Sequence, residues 1–324
     1  MHHSIGICGG KNAGTLGGYM ELRHHGGTHR GLLTNYHVVR PSPLHQLVEV
    51  IDPHDISPRS PVAYQRAIGI ESLARKDRDF ALVNIDSQLD SLDSRKASLT
   101  SSIQNRLLLG ECTWCLSHRQ LEILETCKFS LIATREVMKP MPHVLGEVLF
   151  ASGLLIHGKR LLGLAFIKLT PEAEEGYFRA NRMPEIPRNQ KPSSRSSDQF
   201  ARIFLPADSP IMEKGGTADV IGGVCNGVKA VCNWASQLRH DIGGNGVDMK
   251  SHQTEEYVII VVNGPFDEKD DSGSFVLDEH GAVAGLLFAD VWDGCSLVAV
   301  ALTMPDIIDS MKPRLDDSVS LHLP

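Results

Sequence analysis

Two blocks of short apolar segments, separated by glycine-rich turns, constrain the fold of this 324-residue chain more than any other feature. In the first block, residues 12–40 contain GTLGGYMEL, HHGGTHR and GLLTNYHVVR, and residues 144–169 continue the pattern on either side of His157-Gly158-Lys159. The second block runs from GGTADVIGGVCNGVKAVCNW through EEYVIIVVNGP to CSLVAVALT. Short strands bounded by turn residues indicate β-hairpins, and two such blocks predict two β-barrels.

Residues 79–107 follow a helical period instead. Their apolar side chains recur at steps of three, four or seven, which places them on one face of a helix. They are Leu82, Ile85, Leu89, Leu92, Leu99, Ile103 and Leu107. Residues 118–138 also have helical character, and Pro140 and Pro142 end it. The sequence therefore predicts a helical hairpin, at about residues 79–138, inserted in the first barrel.

Proline and serine are dense, and apolar residues sparse, between Pro171 and Pro206. Such a composition is typical of a surface linker. We therefore expect a first domain over residues 1–170, a linker over 171–206, and a second domain over 207–324. The second domain ends with a short helix that begins near Pro305. The predicted class is all-β dominated, with helices only in the insertion and near the C-terminus.

Composition excludes several kinds of function. The net charge of −7 (32 − 39) and the pI of about 6.1 provide no basic surface for nucleic acid or an anionic membrane. No apolar run is long enough for a transmembrane helix, and the N-terminus lacks the features of a secretory signal. Seven scattered cysteines favour reduced thiols in an intracellular, cytoplasmic protein. No pattern of residues calls for a metal or another cofactor.

The turn Asp271-Ser272-Gly273-Ser274 raises the question of a nucleophile. Its composition suits an ordinary loop as well as a catalytic serine. A serine hydroxyl attacks only when a base, usually histidine, takes its proton. Of the fifteen histidines, His37 is the one embedded in apolar strand sequence, LLTNYHVV. A histidine in the first β block and a serine in the second form a distinctive order.

These segments resemble those of a known family. GLLTNYHVV resembles the histidine motif of trypsin-like (chymotrypsin-fold) serine proteases, and DDSGSFVLDEHGAVAGLL resembles their serine motif. MEKGGTADVIGGVCNGV resembles the opening strand of the second barrel in intracellular fungal members with long insertions. The resemblance implies two six-stranded antiparallel barrels with the active site in the cleft between them.

The resemblance also implies roles for individual residues. Ser272 would be the nucleophile and His37 the general base, and the backbone N–H groups of Asp270 and Ser272 would form the oxyanion hole. The family normally has glycine at the position of Asp270. Phe266 would lie at the floor of the substrate pocket, which favours small or apolar residues. Asp290, at the pocket wall, would favour Lys or Arg, and the sequence leaves this choice open.

The sequence allows two interpretations of the acid that would complete the catalytic triad. Asp79-Phe-Ala-Leu-Val matches the family's acid motif and lies 79 − 37 = 42 residues after the histidine. In the long-insertion fungal members, however, the acid precedes the last strand of the first barrel. There this chain has Leu162-Gly163-Leu164-Ala165, with Gly163 in place of the aspartate. Either Asp79 orients His37, or the acid is missing.

Two functions follow from these readings. The first is a serine endopeptidase that hydrolyses polypeptides through an acyl-enzyme on Ser272. The second is a catalytically impaired homologue that binds peptides or a partner protein through the inherited cleft. The helical hairpin is a further place where a protein partner could bind.

Overall fold

The computed structural model describes most of the chain. The described residues are 4–10, 13–41, 47–61, 64, 68–109, 114–140, 143–181, 199–201, 209–213, 221–233, 239–240, 246–247, 253–261, 272–292 and 297–324. They form two compact units, one of residues 1–74 and 143–324 and the other of residues 75–142.

The larger unit is built from antiparallel strands. Those of its first part are β1 (Ser4–Ile7), β2 (Gly14–Thr15), β3 (Gly18–His24), β4 (Gly27–Asn35), β5 (Gly69–Ser72), β6 (His143–Ala151), β7 (Ile156–His157), β8 (Arg160–Leu161) and β9 (Leu164–Leu169). Those of its second part are β10 (Pro210–Glu213), β11 (Ile221–Cys225), β12 (Ala230–Asn233), β13 (Arg239–His240), β14 (Gly246–Val247), β15 (Gln253–Val261), β16 (Phe275–Asp278), β17 (Val283–Trp292), β18 (Leu297–Thr303) and β19 (Ser320–His322).

Short helices join or end these strands, and two long helices form the smaller unit. In chain order they are α1 (Tyr36–Val39), α2 (Val48–His54), α3 (Arg75–Leu108), α4 (Trp114–Met138), α5 (Pro171–Tyr177) and α6 (Met304–Met311). Helix α6 begins where Thr303 caps it, since Thr303 Oγ1 accepts a hydrogen bond from the Asp306 N–H at 3.2 Å. None of the described helices is both long enough and apolar enough to span a membrane.

The strands of the second part close into a barrel. Their order is β11-β10-β16-β17-β18-β15-β12, and β11 also pairs with β15, which completes a ring of six strands. The six strands of the ring, in chain order, are β10, β11, β15, β16, β17 and β18. Around the ring the first three of these are followed by the sixth, the fifth and the fourth. Closure leaves no exposed edge among these six strands, which is how a small antiparallel sheet avoids pairing with other chains.

The strands of the first part repeat this connectivity. Their order is β19-β3-β4-β9-β6-β5-β1-β2. The six main strands, in chain order, are β1, β3, β4, β5, β6 and β9. Read from the first of them, neighbours again follow the order first, second, third, sixth, fifth, fourth, although β1 and β3 are joined only through β2. Only Leu16 and Gly17 separate β2 from β3, so the curved sheet nearly returns on itself. This repeated arrangement is the chymotrypsin-like double barrel that the sequence predicts. The helical hairpin, α3 and α4, is inserted between β5 and β6.

Two apolar cores hold the larger unit together. One fills the first barrel and includes Leu32, Val148 and Ile167. The other contains residues of both barrels and of α6, among them Phe166 and Leu286. Because the second core is shared, the two barrels are packed against each other, and segments from both can meet at the cleft between them.

The segment that the sequence predicts as a linker is only partly described. Its first residues form α5, which begins at a Thr170 cap whose Oγ1 accepts the Ala173 N–H at 3.2 Å. Residues 182–198 and 202–208 lie outside the described residues. The domain boundaries at 170 and 206 therefore stay predictions.

Candidate active site

His37 lies on a short helical turn at the end of β4. The flanking residues Tyr36, Val38 and Val39 are fully buried, whereas His37 is exposed. The sequence NYHVV forms this turn because its apolar side chains enter the core of the first barrel. The polar imidazole is thereby directed away from that core.

Contacts on both sides of His37 hold the turn in place. The Tyr36 N–H donates to the carbonyl oxygen of Gly163 at 2.6 Å. The Tyr36 hydroxyl donates to Asp52 Oδ1 at 2.7 Å, and Arg40 Nε donates to the same oxygen at 3.0 Å. Burial and the Asp52 carboxylate raise the pKa of the Tyr36 phenol well above its usual value, so the hydroxyl remains a donor.

Ser272 lies on a tight turn that enters β16. The Ser272 carbonyl accepts the Thr15 N–H at 3.1 Å, and the Gly273 N–H donates to the Leu287 carbonyl at 2.9 Å. Gly273 has φ of +105°, a conformation that other residues rarely adopt. A Cβ atom there would lie 2.4 Å from the Thr15 carbonyl oxygen and 2.5 Å from Thr34 Oγ1. Glycine is therefore required here for both its backbone conformation and its size.

Contacts place the Ser272 turn near the residues on either side of His37. On one side, Asn35 Nδ2 donates at 2.6 Å to the Leu287 carbonyl, the same oxygen that accepts the Gly273 N–H. On the other side, a Cβ atom added to Gly14 would lie 2.3 Å from Val38 Cγ2 and 3.2 Å from the Ser272 carbonyl oxygen. The double barrel thus brings the His37 turn and the Ser272 turn to one place.

Gly163 lies directly beside the His37 turn. It immediately precedes β9, the last strand of the first barrel, and its carbonyl holds the Tyr36 N–H. Next to it, Leu164 pairs with Asn35 across β9 and β4. A Cβ atom added to Gly163 would meet no atom within 4 Å, so the space beside this position is open.

Asp79 lies in α3, within the helical unit. Its side chain is 56% exposed, and its carboxylate pairs with Arg78 Nη2 at 3.1 Å and Arg75 Nε at 3.6 Å. The Asp-Phe-Ala-Leu-Val match to the family's acid motif is therefore helical. Its partners are the arginines of the first turn of its own helix.

The other predicted site residues are described only in part. Phe266 and Asp270 lie outside the described residues. Asp290 lies in β17, where its backbone pairs with Ala299 of β18, and its side chain is not described. The floor of the substrate pocket and the first oxyanion donor therefore stay predictions.

Two residues of the site were missed in the sequence. Asn35 connects the barrels, and Asp52 anchors both Tyr36 and Arg40. Asn35 follows directly on the buried stretch GLLT, and an amide at the end of a buried strand needs partners. Asp52, in the IDPH segment, had no comparable signal. No group of three or more His, Cys, Asp or Glu within the described ranges could hold a metal ion.

No protein-family model matches the chain, and no curated protein matches it. Solved structures that are similar in fold include a Nocardiopsis protease, at 8% identity and a TM-score of 0.43, over 99% of this chain and 95% of that one. Thermobifida fusca protease A is similar at 8% identity and a TM-score of 0.42, over 99% and 96%. The inactive form of a Mycobacterium tuberculosis protease follows at 10% identity and a TM-score of 0.37, over 91% and 88%. Likenesses this remote decide nothing about activity, and the fold rests on the strand connectivity described above.

Proposed function

We propose that this chain is a serine endopeptidase in which Ser272 is the nucleophile and His37 the general base. The observation that carries the proposal is the closeness of the Ser272 turn to the residues that flank His37. Asn35 Nδ2 and the Gly273 N–H share the Leu287 carbonyl, and Gly14 lies against both Val38 and the Ser272 carbonyl. Acyl transfer requires an imidazole within hydrogen-bond reach of the serine hydroxyl, and we assign these roles to His37 and Ser272. Polypeptide is the proposed substrate, and no cofactor takes part.

In this reaction His37 accepts the Ser272 proton while Oγ attacks the carbonyl carbon of the scissile bond. The tetrahedral oxyanion is stabilised by backbone N–H groups, for which Asp270 and Ser272 are the proposed donors. His37 then protonates the leaving amine, and the acyl-enzyme remains on Ser272. Water, deprotonated by His37, hydrolyses that ester and regenerates the hydroxyl.

We assign Gly163, rather than Asp79, to the position of the triad acid. Gly163 precedes the last strand of the first barrel and holds the backbone of the His37 turn, whereas Asp79 pairs with arginines of its own helix. Without a carboxylate at this position, an imidazole is poorly oriented, and rates of such enzymes fall by about ten-thousandfold. The proposed enzyme is therefore slow.

Gly163 also favours a second candidate function, a homologue that binds peptides in the cleft without cleaving them. The two are separated by covalent labelling with a fluorophosphonate probe, followed by mass spectrometry of the labelled peptide. The enzyme is supported if Ser272 is labelled in the wild type and labelling is lost in Ser272→Ala and His37→Ala. Ser101 is an exposed serine on a helix, and the control variant Ser101→Ala should be labelled to the same extent as the wild type. Absence of labelling, with bound peptide still detected, supports the homologue.

Substrate specificity and cellular location are part of the same proposal. Phe266 and Asp290 remain alternative determinants of the side chain accepted before the cut, for apolar and for basic residues respectively. An intracellular location is proposed from the seven scattered cysteines, and a resemblance to fungal members with long insertions from the sequence motifs.

A further inference from the structure

The helical hairpin has a seam at coiled-coil spacing but only two helices to cover it. Residues that are buried or partly buried recur at alternating steps of three and four along both helices, the spacing of a and d positions. On α3 they are Arg78, Leu82, Ile85, Leu89, Leu92, Lys96, Leu99 and Ile103, and on α4 they are Leu121, Leu124, Lys128, Leu131, Arg135 and Met138. Of the hairpin side chains that the structure describes, Ile85 alone is buried.

The two edges of this seam differ in charge. Along one edge, ion pairs join the helices: Asp86 with Arg135, Asp93 with Lys128, and Lys96 with Glu125. The residues on the opposite edge include no carboxylate, and among the described residues none pairs with Arg95, which lies at its centre. One edge is thus neutralised within the hairpin, while the other has an unpaired positive charge.

The Arg95 edge contains two depressions with apolar floors. The first has a volume of about 460 Å³ over Leu99, Leu124 and Ile123. The second also has a volume of about 460 Å³, over Leu92 and Leu131. Arg95 borders both. Each is many times the volume of one water, which is about 30 Å³, so each can receive a large side chain.

The spacing of the depressions matches one helical repeat. Leu92 and Leu99 are seven residues apart, which corresponds to about 10.5 Å along a helix at about 1.5 Å per residue. A third helix lying along the groove would therefore insert side chains at positions i and i+7. Its residue at i+3 or i+4 would face Arg95.

Two copies of this hairpin do not fit together groove to groove. Two copies related by a two-fold axis would place groove against groove, and two concave surfaces cannot fill each other's depressions. Arg95 lies near the middle of α3, so the same arrangement would also bring two unpaired guanidinium groups together. A partner with a convex apolar ridge would fill the depressions, and a negative charge on it would neutralise Arg95.

We propose that the Arg95 groove binds an acidic amphipathic helix of a partner protein, with two large apolar residues at i and i+7 and a carboxylate between them. The partner's apolar side chains cover Leu92 and Leu99 and their neighbours, and its carboxylate pairs with Arg95. The groove lies wholly within the helical unit, so binding does not depend on the proposed peptidase activity.

The test uses two fluorescent peptides of about 21 residues with helix-favouring sequences and Leu at i and i+7. One has Glu at i+4 and the other Lys, and anisotropy is measured with the full chain. We expect the Glu peptide to bind about tenfold more tightly than the Lys peptide, and Arg95→Glu to reverse that preference. Arg119→Glu, on α4 outside both depressions, should leave the preference unchanged.

A second pair of variants tests the shape of the groove. Ser98 lines the first depression. Ser98→Phe should fill that depression and weaken the binding of the Glu peptide at least about tenfold. Ser94→Phe places the same side chain outside both depressions and should bind like the wild type. Circular dichroism establishes that each variant keeps its helices.

Three results would overturn the proposal. One is the absence of Glu-peptide binding up to about 1 mM. Another is equal binding of both peptides, with no effect of Arg95→Glu. The third is a wild-type dimer in sedimentation velocity that Ser98→Phe dissociates and Ser94→Phe does not, since the groove would then be occupied by a second copy.

Discussion

Replacing Gly163 by aspartate should turn the proposed slow peptidase into a faster one. The position adjoins the His37 turn through the 2.6 Å hydrogen bond from the Tyr36 N–H, and the space into which a Cβ atom would project is open. Glycine here has no positive φ, so aspartate introduces no backbone strain. The substitution therefore adds a carboxylate next to the His37 turn without displacing the chain, and we expect it to face the imidazole.

The size of the gain follows from simple electrostatics. A carboxylate about 4 Å from an imidazolium, at an effective dielectric constant of about 20, stabilises it by about 4 kcal/mol. At about 1.36 kcal/mol per factor of ten, the attack of Ser272 should be about a thousandfold faster in Gly163→Asp. The same carboxylate favours the charged imidazole, so the pKa of His37 should rise and the acid limb of the rate profile should move to higher pH.

The assay is the rate of fluorophosphonate labelling of Ser272 as a function of pH. Gly163→Asn is the matched control, because its side chain has nearly the same shape without the charge, and we expect little or no gain from it. Asp79→Asn should leave the wild-type rate unchanged. The reasoning is refuted if Gly163→Asp retains the wild-type melting temperature but labels no faster than Gly163→Asn, or if Asp79→Asn abolishes labelling.

Two further predictions concern stability. Gly273→Ala should lower the free energy of unfolding by about 2–4 kcal/mol, because its Cβ atom would lie 2.4 Å from the Thr15 carbonyl at φ of +105°. Gly158→Ala, also at positive φ but in open space, should cost only about 1 kcal/mol in the same urea titration, and equal losses would contradict the steric argument. Burial raises the pKa of Asp55 to about 6 although Arg314 lies 2.5 Å away, so the folded chain binds this proton more tightly than the unfolded chain, whose carboxyl has a pKa of about 3.9. Its contribution is present below about pH 4 and lost as the pH rises through about 6, roughly 3 kcal/mol in all, and Asp55→Asn should lack that part of the pH dependence.

Much of the fold could be predicted from local pattern. The alternation of apolar strings and glycine turns indicated two β units, and steps of three, four and seven indicated the helical hairpin. Both predictions rest on which side chains a strand or a helix places on one face. Residues near one another in the chain decide this placement. The first helix of the hairpin begins at Arg75, slightly before the apolar stripe, because charged residues extend the helix beyond its apolar face.

The sequence by itself determined the residue types at the two motifs, a histidine among buried apolar residues and a serine on a glycine turn. Only the tertiary structure decided what surrounds them. The Asn35 link to Leu287 and the place of Gly163 beside Tyr36 join residues more than a hundred positions apart, and the Asp52 anchor joins two separate helices. The sequence left two alternatives open, Asp79 as the acid or an acid missing at Gly163, because a carboxylate orients an imidazole by distance in space. That distance is set by the pairing of β4 with β9 and by the shared core of the two barrels.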